Sequence, residues 1–164
     1  MANEQALSHA ELAKAVLDAC ERKHLTLGSA ESCTGGLIAA AITDIAGSST
    51  SFMGSIVSYW VDVKQSVLGV DESIIQTYGV VSEECAAAMA QGCRKVIGCD
   101  YAVSTTGIAG PSGAEPGKPI GTVCYAIASP EGVRTFTTCK GSTRSEVRAY
   151  AVEHILKELL KDIS

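Results

Sequence analysis

Aromatic side chains are scarce in this chain, at 5% of residues, and acidic groups outnumber basic ones, 18 to 13, for a net charge of −5. Both shortages argue against a nucleic-acid surface, which needs a basic face and stacking rings. Long apolar runs are missing too. Stretches such as Leu37–Ile42 fall far short of the roughly 20 residues that a membrane-spanning helix requires. The first residues, MANEQALSHAELAK, are polar and lack the apolar stretch of a secretory leader. The expectation is a cytoplasmic protein with neither a membrane nor a nucleic-acid partner.

Cysteine is not lacking, at seven residues, but no C-x-x-C pair occurs. Structural zinc sites favour ligands two to four residues apart, and disulfide frameworks belong mainly to small secreted chains. Cys20, Cys85, Cys93 and Cys124 fall among apolar residues at helix or strand spacing and read as small buried hydrophobes. No metal site is expected. Histidine is rare: His9 lies in a capping turn, His24 at a helix end and His154 mid-helix among charges, all simplest as solvated surface residues. A Ser-His-Asp triad therefore has little to draw on. Walker A, G-x-G-x-x-G, H-E-x-x-H and S-x-x-K motifs are all absent, which removes kinase, dehydrogenase and metalloprotease readings.

What is present is a full complement of element signals. The length of 164 residues and a hydrophobic fraction of 46% suit one domain, taken as residues 1–164. Ser8-x-x-Glu11 is a capping box flanked by the staple pair Leu7 and Leu12, and Leu12, Val16, Leu17 and Cys20 form one helical stripe. Leu25–Leu27 reads as the first strand, Leu37–Thr43 as helical, Gly54–Val61 as the second strand and Asp71–Tyr78 as a short helix. Ser82 caps a longer helix with the stripe Ala86, Met89, Ala90, Cys93 and Ile97. A buried strand, Asp100–Thr106, empties into a loop rich in glycine and proline, from Gly107 to Pro119. Ile120–Ser129 and Val133–Thr138 form a hairpin around Pro130-Glu-Gly, and Thr143-x-x-Glu146 is a second capping box opening the last helix. Helices and strands alternate without linker or repeat, so the class is α/β. The expected architecture is a three-layer α/β/α sandwich whose central sheet the hairpin makes mixed.

Three constellations could carry chemistry. In Glu31-Ser-Cys-Thr-Gly-Gly, a strand ends at a hydroxyl and a helix begins at paired glycines. Helix N-terminal amides there could stabilise an oxyanion or hold a phosphate, with Thr34, Gly35 and Gly36 in the anion-binding turn and Ser32 as nucleophile. The plainer reading is an ordinary strand-to-helix turn. A nucleophilic serine needs a base, and Lys64 is the candidate if burial lowers its pKa, with the Tyr59 hydroxyl relaying a proton. Otherwise Lys64 is a surface helix cation. Arg144 and Arg148 share one face at the start of the last helix, where two cations oppose the helix dipole unless an anion, a phosphate for instance, or the carboxylates of Glu146 or Glu153 compensate.

Taken together, Ala30-Glu-Ser-Cys-Thr-Gly-Gly, Ile45-Ala-Gly-Ser-Ser, Gly79-x-Val-Ser, Thr106-Gly-Ile-Ala-Gly-Pro and Gly121-Thr-Val resemble the CinA C-terminal domain family, in order and over nearly the whole chain. Stand-alone members of that family are nicotinamide mononucleotide deamidases, and the larger members carry an additional N-terminal domain. The resemblance implies a homodimer that uses no metal and no cofactor. It places the nucleophile at Ser32 and its catalytic partners at Tyr59 and Lys64. It also puts substrate-binding groups at Thr106, Gly107, Arg144 and Arg148. The implied reaction is hydrolysis of the nicotinamide mononucleotide carboxamide, and a non-catalytic nucleotide-binding or regulatory module on the same fold is the alternative. One departure stands out: the family reads Tyr-Ser-x-x-x-Lys, and here Trp60 follows Tyr59. On a strand over 54–61 it would face away from Tyr59.

Overall fold

The computed structural model describes residues 7–164; the reading of the polar N-terminus as leader-free falls partly on residues 1–6, outside that range. Helix α1 (His9–Lys23) opens on the expected capping box of Ser8 and Glu11 and buries Leu12, Val16, Leu17 and Cys20. It ends at His24 in the left-handed conformation, φ 54°, with Leu25 N donating to Cys20 O at 2.9 Å. That bond closes the helix in a Schellman-type arrangement. Leu25 is thereby taken out of the sheet, and strand β1 runs over Leu27–Glu31 instead of starting at Leu25. Thr26 is clamped outside the ladder, its N–H and hydroxyl both donating to the Asp100 carboxylate.

Helix α2 (Leu37–Thr43) and a short 3₁₀ turn lead to β2 (Phe52–Val57). This strand begins two residues earlier and ends four earlier than the expected 54–61. After the Ser58 N–H bonds Glu31 O, the chain leaves the sheet to enter α3 (Val61–Ser66). Tyr59 and Trp60 therefore lie in a connection, and both are exposed, so strand alternation does not separate them. Helices α4 (Glu72–Tyr78) and α5 (Glu83–Ile97) follow, capped by Asp71 and Ser82. Then come β3 (Tyr101–Gly107), the hairpin β4 (Thr122–Ser129) and β5 (Gly132–Cys139), and α6 (Arg144–Ile163) with the expected Thr143–Glu146 capping box.

The sheet has five strands in the order β2-β1-β3-β4-β5, with β1 parallel to both neighbours and the last two pairings antiparallel. It is the mixed sheet that the hairpin implied. Helices α1, α2 and α6 pack on one face against Leu27, Val103, Tyr125 and Ile127. Helix α5 covers the other face, meeting Ala30 and Ala102 through Met89 and Cys93, and Ala126 and Ala128 through Ala86 and Ala90. The small residues on that face let helix and sheet approach closely. Cys20, Cys85, Cys93 and Cys124 are buried as expected, and all seven cysteines are free. His154 is not a solvated residue among charges: it is half-buried, stacked on Tyr150 and tilted against Tyr125 and Phe136. Among the described residues, no helix is long and apolar enough to cross a membrane.

The topology reverses at β1. The β1–β2 crossover passes through α2 on one face, and the β2–β3 crossover through α5 on the other. Ligands of open α/β sheets bind at such a switch point, beyond the carboxyl ends of the strands. The register sets Glu31 beside Val57 and Thr105, so Ser32 and Ser58 leave the sheet beside Thr106, near the end of β3.

Candidate active site

A cavity of about 310 Å³ opens at that point, lined by Ser32, Cys33, Tyr59, Lys64, Thr106, Gly107, Arg144 and the loop from Ile108 to Glu115. A larger depression of about 670 Å³ lies at the opposite end of the sheet, around Arg94, Asp100 and Glu131. Its serine, Ser129, donates to the exposed Glu131 carboxylate at 2.9 Å, on the surface and with no buried amine beside it.

At the floor of the cavity, Lys64 Nζ lies 2.9 Å from Ser32 Oγ. Lys64 is 2% exposed, the buried residue of α3, and burial pushes its pKa below the ordinary 10.5, with the nearby Cys85 and Cys33 thiols opposing the shift. No carboxylate pairs with it among the described residues. Its other contacts are the main-chain carbonyls of Ser58, at 2.5 Å, and Tyr59, at 3.4 Å. A neutral amine has two N–H groups and one lone pair. When charged, Lys64 donates to Ser32 Oγ; when neutral, it can give its two hydrogens to the carbonyls and turn its lone pair to the Ser32 hydroxyl. Such an arrangement can serve a nucleophilic serine and its general base.

Tyr59 contributes to Lys64 through its carbonyl, not through the hydroxyl that was expected to relay a proton. The phenol instead accepts a bond from Arg144 Nη2 at 2.9 Å, while Arg144 Nη1 donates to Gly110 O at 2.9 Å. Arg144, the first residue of α6, thus joins the β2–α3 connection to the glycine-rich loop at the cavity rim. Thr106 lines the cavity with its hydroxyl donating to Val80 O at 2.8 Å. At Gly107 an added Cβ would sit 2.6 Å from Thr122 O, so only glycine lets β3 and β4 close at this wall.

The remaining expected residues are not brought to the cavity. Thr34 is fully buried, its hydroxyl bonded to Glu31 and Thr105. Gly35 and Gly36 make the left-handed turn into α2, at φ 58° and 101°. The N-terminal amides of α2 at Gly36, Ile38 and Ala39 are already bonded to the Glu31 carboxylate, so they face no ligand. Arg148 donates to the carbonyls of Cys33 and Thr34, bracing the turn from behind. Neither arginine pairs with Glu146 or Glu153; Glu146 is held by the capping box and Glu153 by Lys157. What the sequence did not reveal is Glu31 itself. Its signal was an acid at the last position of a strand, which also fits a cavity-facing role.

The turn leaves other donors. The Cys33 and Thr34 N–H groups, directly after Ser32, have no acceptor among the described residues. The Cys33 thiol, one residue beyond Ser32, is buried and pushed up to about 12 chiefly by desolvation, which keeps it protonated and unreactive as a nucleophile.

A sequence profile of the family described as CinA C-terminal domain matches residues 9–163. The chain belongs to that family. Among its CinA relatives, a "CinA-like protein" of Fervidobacterium nodosum is 42% identical over 143 residues, covering 87% of this chain and 35% of its own length. Another of the same name, from Mycolicibacterium gilvum, is 47% identical over 139 residues, covering 82% and 33%. The chain thus spans about a third of the curated relatives it matches. Among solved structures, a CinA superfamily protein of Enterobacter cloacae superposes with a TM-score of 0.95 at 28% identity, covering 100% of this chain and 97% of the other. The competence/damage inducible protein CihA of Agrobacterium tumefaciens gives 0.91 at 37% identity, covering 96% and 98%.

Proposed function

We propose that this CinA-family chain is a nicotinamide-nucleotide amidase. It hydrolyses the carboxamide of nicotinamide mononucleotide to nicotinic acid mononucleotide and ammonia, a step of pyridine nucleotide recycling. The observation that carries the reading is the buried Lys64 amine 2.9 Å from Ser32 Oγ, without a carboxylate partner. Binding a nucleotide needs no such pair; activating a hydroxyl does.

In the first half-reaction the Ser32 proton moves to Lys64 Nζ as Oγ bonds the amide carbon. The resulting oxyanion is held by the N–H group of Cys33, which lines the cavity and stands in for the α2 amides that Glu31 occupies. Lys64 then returns the proton to the amide nitrogen, the C–N bond breaks, and ammonia leaves an acyl-serine. Water attacks that ester with Lys64 again as base, releasing the carboxylate and restoring the hydroxyl. Arg144 and the amides of Gly110, Ser112 and Gly113 hold the 5′-phosphate, and Tyr59 and Thr106 flank the ribose and ring. A guanidinium beside main-chain amides suits a phosphate well.

The test is ammonia release from nicotinamide mononucleotide by purified protein, with Ser32→Ala in parallel and a chelator present. Release that persists with chelator and falls at least about 10³-fold in the variant is expected. Folded wild type that binds the nucleotide without releasing ammonia would replace the amidase by a nucleotide-binding module.

A further inference from the structure

Glu31 ends β1 immediately before Ser32, yet its side chain is fully buried and takes no part in the cavity wall. Its Oε1 accepts from Thr34 Oγ1 at 2.7 Å, Ile38 N at 2.9 Å and Gly36 N at 3.2 Å. Its Oε2 accepts from Ala39 N at 3.0 Å and Ser55 Oγ at 3.2 Å, with Ser29 Oγ at 3.5 Å. Burying a carboxylate is unfavourable unless hydrogen bonds replace its water, and here donors from β1, β2 and α2 do so without any ion pair among the described residues. Each carboxylate oxygen receives at least one main-chain N–H. A neutral amide in its place would satisfy one side and turn its NH₂ against an N–H on the other.

This grip bears on the nucleophile. The 32–36 segment passes from strand to helix through paired left-handed glycines, a path with much freedom of its own. One end is fixed by Ser32 N bonding Thr105 O. The other end is fixed by the Glu31 carboxylate on Gly36, Ile38 and Ala39. Between them stand Ser32 and the unengaged N–H groups of Cys33 and Thr34. We infer that Glu31 is a positioning residue for the reaction: by drawing the start of α2 onto its carboxylate, it sets Ser32 Oγ against Lys64. The same pull leaves the N–H of Cys33, a cavity residue, free of the helix and open to the developing oxyanion. The inference rests on the amidase reading for its substrate, but not for its readout.

The experiment measures two rates in wild type, Glu31→Gln and Ser55→Ala: turnover of nicotinamide mononucleotide, and phosphonylation of Ser32 by a fluorophosphonate. The second rate needs only the Ser32–Lys64 pair. In folded Glu31→Gln, kcat per phosphonylatable site should fall about 100-fold, the loss expected for a nucleophile displaced by about an ångström. KM should change little, the phosphonylation rate should fall in parallel, and the pH profile set by Lys64 should be retained. A merely structural lesion would instead lower the number of reactive sites and leave the rate per site intact. Ser55 lies outside the cavity and touches the carboxylate only through its hydroxyl, so Ser55→Ala should give a smaller loss of kcat at the same KM. Folded Glu31→Gln with both rates per site within about threefold of wild type overturns the inference. If Glu31→Gln does not fold, wild-type rates in Ser55→Ala overturn it. Should wild type be phosphonylated at Ser32 yet leave the nucleotide intact, the substrate assignment fails and the phosphonylation rates still decide the role of Glu31.

Discussion

Lys64 sets the cost of a buried amine in the fold against the chemistry proposed for it. A lysine inside α3, 2% exposed and without a carboxylate, is unfavourable as a cation. Burial therefore lowers its pKa from 10.5, and the amine becomes available as a base at a lower pH than a free lysine. The rate of ammonia release should rise with pH through a midpoint below 10.5. Lys64→Arg, whose guanidinium stays charged, should lose about 10²–10⁴-fold in kcat, with no recovery at high pH. Restored activity in that variant above neutral pH would remove Lys64 from the base role. The same shift has a sign in stability. The unfolded chain keeps the ordinary pKa, so it binds more protons than the folded one between the lowered value and 10.5, and stability rises with pH across that window. Below the window the folded state bears the full cost of a buried ammonium. The stability difference between wild type and Lys64→Met should therefore move in favour of wild type as pH increases toward 10.5, measured by urea unfolding. A difference flat with pH would mean that the amine is not desolvated. Ser32, Lys64 and Arg144 were legible from the sequence because strand-turn-helix punctuation and family resemblance mark them. The roles of Glu31, Thr34 and Arg148 were not. Which face a polar side chain takes at the end of a strand depends on the last residue of the ladder, and the expected boundaries were off by more than one.

At the level of elements, helix capping was read well and strand ends poorly, for one reason. A capping box is closed within four residues, and both Ser8–Glu11 and Thr143–Glu146 stand as their spacing implied. Strand ends depend on partners far along the chain. β1 starts at Leu27 because Leu25 closes α1 and Thr26 is clamped to Asp100, 74 residues away. β2 stops at Val57 because, after the Ser58 N–H bonds Glu31 O, the chain turns out of the sheet into α3. The stripe of α5 was legible, but its glycine was not. Gly92 stands where the helix crosses the segment after α3, and an added Cβ would lie 1.9 Å from Leu68 O. Alanine is the better helix former by about 1 kcal/mol. The clash is with rigid backbone, so Gly92→Ala should nonetheless destabilise the protein by at least about 1–3 kcal/mol, read as a lower urea midpoint. Because Leu68 lies two residues beyond the end of α3, residual folded variant should also show weakened turnover. A Gly92→Ala protein as stable as wild type would mean that this crossing is looser than its geometry implies.

For the whole molecule, the open sheet and its reversal at β1 convert distant sequence into one site. Ser32 comes from the end of β1, Lys64 from the helix after β2, Thr106 and Gly107 from the end of β3, and Arg144 from the start of α6. Layer order and sheet mixing could be anticipated from alternating patterns and a hairpin, but the convergence of those four segments could not, since no local spacing encodes it. A ligand filling the cavity therefore touches elements on both faces of the sheet. Binding to the folded state alone stabilises it by about 2.7 kcal/mol at a hundredfold excess over Kd. For a domain of this size that is a rise in Tm of roughly 5–10 °C. The expectation is such a rise for Ser32→Ala with nicotinamide mononucleotide, since that variant keeps the cavity without consuming the ligand. Replacing Arg144 as well should remove most of the shift, because the phosphate loses its guanidinium and the cavity rim loses its bridge between Tyr59 and Gly110. A shift that survives Arg144→Ala in full would place the phosphate elsewhere on the 108–113 loop. No shift with the nucleotide, in a protein whose Ser32 still reacts with a fluorophosphonate, would leave the hydrolase and remove its substrate.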